Sequence, residues 1–73
     1  MRHESVFTHM DQETSDLITQ ISTRIGMIME DASVIALTLG RVGSEARVAK
    51  VCEIADAAAK IHALTEAIKA LSR

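Results

Sequence analysis

Residues 17–40 read LITQISTRIGMIMEDASVIALTLG, and their spacing decides the fold. Ile18, Ile21, Ile25, Ile28, Ala32, Ile35 and Leu39 recur at alternating steps of three and four. That alternation keeps the apolar side chains on one stripe of an α-helix, the a/d seam along which a second helix packs. Carried backwards, the same register meets Thr14, Asp11 and Phe7, so the seam weakens before Leu17. Thr8 with Asp11 three residues later resembles a capping box and predicts a start near residue 9. A later start near Ser15 is the alternative, and residues 1–7 are expected to be loosely ordered.

Gly40-Arg41-Val42-Gly43-Ser44 is the one convincing break in the chain. The sequence predicts helix 1 over about 9–39, a turn over 40–44 and helix 2 over about 45–71. Gly40 is expected to end the first helix in the left-handed conformation. Ser44 is expected to cap the second, with Glu45 at its positive end. Helix 2 shows the stripe Val51, Ile54, Ala58, Ile61, Leu64, Ile68 and Leu71, and Asp56 and Lys60 form an i,i+4 pair on its polar side. Its many alanines favour helix and leave room for a second backbone. So short a connection sets the helices antiparallel, and the fold class is all-α: a two-helix hairpin in a single domain.

One hairpin is too little to bury what this sequence carries. Ordering 73 residues costs on the order of 100 kcal/mol, and two helices alone cover one stripe each. Met27, Val34 and Leu37 lie nearly opposite the isoleucine seam, and Met29 flanks it. Val48, Cys52, Ala55 and Ala59 make a second, small-residue stripe on helix 2, which His62 continues. A helix apolar on two faces is expected between other helices. These eight residues, Met27 through Ala59, are therefore the candidate oligomer or partner interface. The expected assembly is a homodimer forming a four-helix bundle.

Composition narrows the function. The chain is 48% hydrophobic, 1% aromatic and carries a net charge of −2, with one cysteine and no proline. One cysteine excludes an internal disulfide framework. No run of about 18 apolar residues spans a membrane. Met1-Arg2-His3-Glu4-Ser5 has no apolar stretch behind its charge, so a signal peptide is not expected and the cytoplasm is the expected location. Residues 1–31 balance to −4 and residues 32–73 to +2, with Arg41, Arg47 and Lys50 clustered about the turn. Such polarity along one axis can steer an antiparallel assembly.

The residue types that can carry chemistry are scattered. Glu30 and Asp31 are adjacent, so they point about 100° apart and make no facing acid–base pair. No acid precedes a histidine at the Glu-x-x-His spacing of di-iron bundles. His3, His9 and Asp11 hold no fixed ligand geometry. His62 is read as an interface-edge histidine paired with Glu66, and Cys52 as a small buried hydrophobe. No cofactor fingerprint or phosphate loop is present, and no enzyme activity is expected.

The expected function is a small protein–protein interaction module: a homodimeric helical regulator or adaptor that binds another protein. Methionines such as Met27 and Met29 adapt to irregular partner surfaces. The alternative starts from architecture. A hairpin that dimerises into a four-helix bundle resembles Rop, a small acidic RNA-binding protein, and that resemblance implies a basic stripe along one bundle face. The spacing of Arg24, Arg41, Arg47, Lys50, Lys60 and Lys69 does not produce one, and Phe7 alone makes no stacking platform.

Overall fold

The computed structural model describes residues 2–72, with side-chain surroundings from Asp11 to Ser72. Helix α1 spans Arg2–Thr38, a single 3-10 turn covers Leu39–Arg41, and helix α2 spans Ser44–Leu71. The architecture is an antiparallel helical hairpin, as the a/d spacing and the short connection require. Its dimensions are 64 × 16 × 10 Å and its radius of gyration is 18.0 Å. A compact chain of this length would measure about 11 Å, so the molecule is a thin rod.

The isoleucine seam is where the sequence places it. Ile18, Ile21, Ile25, Ile28, Ala32, Ile35 and Leu39 are all half-buried, and the residues on either side of them are exposed except Thr38. Thr14 is the first half-buried side chain described, so pairing with α2 begins there. The helix itself starts at Arg2, ahead of both the Thr8 and the Ser15 starts. The expected loose segment 1–7 is thus helical from Arg2, and Met1 lies outside the described residues. No glycine or proline interrupts residues 2–25, and each residue added to an existing helix gains a hydrogen bond at little further cost. At 37 residues against 28, α1 outruns its partner.

The α2 stripe needs correction at two positions. Ile54, Ala57, Ile61, Leu64, Ile68 and Leu71 are half-buried, together with Lys50, whereas Val51 and Ala58 are exposed. The cause is periodicity. The set 50, 54, 57, 61, 64, 68, 71 alternates steps of four and three without a break. The expected set put two steps of three in succession at 58–61–64, which rotates a stripe off the seam. Lys50 fits because its aliphatic stem can lie along the seam while its ammonium reaches water.

The turn is built differently from the expected glycine cap. Thr38 (φ −94°, ψ −7°) leads into the 3-10 turn, and Val42 (φ −107°, ψ 159°) is extended. No glycine has positive φ, so Gly40 is not a left-handed cap. Gly43 (φ −69°, ψ 167°), rather than Ser44, is the N-cap of α2, and Ser44 is its first helical residue. Arg47 closes the turn. Its Nε donates to the Leu39 carbonyl at 3.1 Å and its Nη2 to the Val42 carbonyl at 3.0 Å. A cation thereby bonds one carbonyl of the 3-10 turn and one of the extended residue after it, close to the end of α1, where the helix dipole is negative.

Candidate interaction surfaces

The hairpin stops at one half-buried seam. Among the described residues no side chain is fully buried. Its accessible surface is 5901 Å², whereas a compact monomer of 7.9 kDa would expose about 4,400 Å². The difference, roughly 1,500 Å², exceeds what one partner of a standard protein interface contributes, about 800 Å².

With Ile18 at heptad position a in α1 and Ile54 at a in α2, the two faces of this flat ribbon differ sharply. Positions g and c make one face. There Asp31 of α1 meets Glu53, Asp56 and Lys60 of α2 along a shallow groove of about 230 Å³ floored by Ile28, Ala32, Ile35 and Ala57. The groove continues past Arg24, Ala63 and Leu64. Lys60 pairs with Asp56 at 3.0 Å.

Positions e and b make the other face. From α1 it presents Thr19, Ser22, Gly26, Met29, Ser33 and Ala36; from α2 it presents Val48, Val51, Ala55, Ala58, His62 and Thr65. All twelve are exposed, and none carries a fixed charge. The first charge on this face is Lys69, near the end of α2, where it pairs with Glu66 at 3.1 Å. The two threonine hydroxyls are already satisfied: Thr19 donates to the Ser15 carbonyl at 3.0 Å and Thr65 to the Ile61 carbonyl at 2.8 Å. Covering them therefore strands no donor.

Gly26 sits on this uncharged face in the middle of α1. Glycine there costs the helix about 1 kcal/mol relative to alanine. Nothing within the chain accounts for it, because a Cβ built at Gly26 meets no atom within 4 Å and φ is not positive.

All eight candidate interface residues are exposed, but they do not form one patch. Met29, Val48 and Ala55 belong to the uncharged face. Met27 and Val34 stand on the charged face, beside Arg24 and Asp31. Leu37, 78% exposed, lies with Cys52 and Ala59 on the outer edges. Cys52 is a free, exposed thiol rather than a buried one. His62 is exposed, and the carboxylate expected to pair with it, Glu66, bonds Lys69 instead. Sequence reasoning missed Val51 and Ala58 as surface residues because it had placed both in the seam.

No group of three His, Cys, Asp or Glu among the described residues is placed to hold a metal ion. The side chains of His3 and His9 lie outside the described ones. No described helix is long and apolar enough to cross a membrane. No family model, curated protein or solved structure matches the chain.

Proposed function

We propose that this protein is a non-enzymatic protein–protein interaction module, a homodimeric helical regulator or adaptor that acts by binding another protein. The observation that carries the reading is a hairpin in which no described side chain is fully buried and which still exposes Met27, Met29, Val34, Leu37, Val48 and Val51. Apolar surface left in water is a driving force for association, and roughly 1,500 Å² of excess surface is enough for a stable complex. A second hairpin completing a four-helix bundle is the economical way to cover one face of both helices. Met27, Val34 and Leu37 then form the surface offered to a different protein, where flexible methionine adapts to the partner's shape. A reducing, cytoplasmic setting goes with this reading, since Cys52 has no mate within the chain.

The Rop-like RNA alternative draws less support. Of the basic side chains, Arg47 is spent on the turn carbonyls, and Lys60 and Lys69 are paired with carboxylates. A continuous basic stripe needs those groups free to meet phosphates.

The test is the solution mass by light scattering with refractive-index detection, because the chain has no Trp or Tyr. A mass of two chains across a wide concentration range is expected. A monomer at all concentrations would overturn the homodimer.

A further inference from the structure

We infer that the uncharged face of the hairpin is the self-association face, and that a second copy of this chain seats on it antiparallel, the turn end of one lying over the open end of the other. This rests on the homodimeric reading above and says which surface makes the dimer.

Four observations on different footings converge on it. The first is charge. A second hairpin seated on the groove face would cover Arg24, Asp31, Glu53, Asp56 and Lys60, and buried charges without full compensation are strongly unfavourable. The face bearing Met29, Ala36, Val51, Ala55 and Ala58 asks for no burial of a fixed charge: Thr19 and Thr65 bond internally, and Ser22, Ser33 and His62 are the neutral polar groups that a covering chain has to meet. The second is area. The length of α2, about 42 Å at 1.5 Å per residue, times the width of two helices, about 20 Å, gives a footprint of roughly 800 Å² per chain, which matches a standard stable interface. The third is Gly26. Its missing side chain has no cause within the chain, and a helix backbone approaching over Gly26, Ala55 and Ala58 supplies one.

The fourth observation sets the orientation and names a second copy as the occupant. The turn end carries Arg41, Arg47 and Lys50 against Glu45, a balance of +2. The open end carries Asp11, Glu13, Asp16 and Glu66 against Lys69. An antiparallel pair sets the positive end of each chain over the negative end of the other, twice, by symmetry. A parallel pair sets like charges together at both ends.

The experiment compares three variants with the unsubstituted protein by light scattering and circular dichroism. Ala58→Glu puts a carboxylate on the uncharged face. Ala63→Glu puts the same carboxylate on the groove face, beside Arg24 and Lys60. Gly26→Leu adds a side chain where a single chain has room for it and where leucine is the better helix former. Ala58→Glu and Gly26→Leu are expected to halve the mass while Ala63→Glu remains dimeric. Should Ala58→Glu lose its helix along with the dimer, the helical monomer expected of Gly26→Leu decides the matter. A dimeric Gly26→Leu, or a monomeric Ala63→Glu beside a dimeric Ala58→Glu, would overturn the assignment of the face and leave the homodimer standing. A monomeric unsubstituted protein would overturn the homodimer itself. For the orientation, a nitroxide on Arg41→Cys in a Cys52→Ser background should show an inter-chain separation of about 40 Å, the length of α2. A separation below about 25 Å would mean turn beside turn and overturn the antiparallel arrangement.

Discussion

Replacing Arg47 by lysine tests whether the turn is held by geometry or by charge. The guanidinium makes two hydrogen bonds from one planar group, to the Leu39 carbonyl at 3.1 Å and the Val42 carbonyl at 3.0 Å. Lysine keeps the positive charge near the end of α1 but cannot reproduce the fork. Each bond is solvent-exposed, which places it at the low end of the range for hydrogen bonds, about 0.5–1 kcal/mol. Losing both therefore costs about 1–2 kcal/mol. For a domain of this size each kcal/mol corresponds to about 4–8 °C in melting temperature. The assay is thermal unfolding followed by far-ultraviolet circular dichroism at one fixed protein concentration, with Arg41→Lys as the control at a neighbouring position. Arg47→Lys is expected to melt at least about 4 °C below the unsubstituted protein, and Arg41→Lys at the same temperature as it. Equal melting of Arg47→Lys and the unsubstituted protein would refute the argument, because charge alone would then account for everything Arg47 does.

Three further expectations concern the seam, the outer edge and the surface pairs. Ile28→Asp sets an unpaired carboxylate in the half-buried seam and is expected to abolish folding; a soluble, fully helical variant would show that Ile28 is not in the seam. Leu37, among the most exposed apolar side chains, lies on the outer edge, so Leu37→Asp should leave the solution mass and helix content unchanged, and a lower mass would place that edge inside the dimer. Asp56→Ala removes a solvent-exposed ion pair with Lys60 and is expected to change stability by less than about 1 kcal/mol. A larger loss in chemical denaturation would show that the groove carboxylates act as a network.

How legible the molecule is from its sequence varies along the chain with hydrophobic contrast. In α1 the seam from Ile18 to Ile25 is set among Thr, Gln, Ser and Arg, and the same unbroken three–four spacing carries it on to Leu39 although Met27, Met29, Val34 and Leu37 crowd the later turns. In α2 the run Ala57-Ala58-Ala59 offers three equal residues, and hydropathy alone cannot say which one faces α1. The choice of Ala58 over Ala57 drew Val51 into the seam with it. With that register, the separation of charged and uncharged faces is hidden, because it depends on which positions are e and which are g. The turn failed for another reason. Glycine permits a left-handed cap but does not demand one, and here a 3-10 turn with an arginine over its carbonyls solves the same hydrogen-bonding problem. Arg47 acts across five and eight residues, a reach that local spacing rules do not cover.

The short connection with its arginine also sets the order in which the hairpin forms and opens. Helices joined by so few residues pair first beside the turn, where loop closure costs least, and then zip toward the free ends. With no fully buried layer among the described residues to stop fraying, amide hydrogen exchange should be slowest near Ile35 and Ile54 and quicken toward Thr14 and Leu71. In the antiparallel pair inferred above, the slow-exchanging end of each chain lies over the fast-exchanging end of its mate. Each protomer then lends protection where the other has least, and the pair opens as one cooperative unit although neither hairpin does so alone.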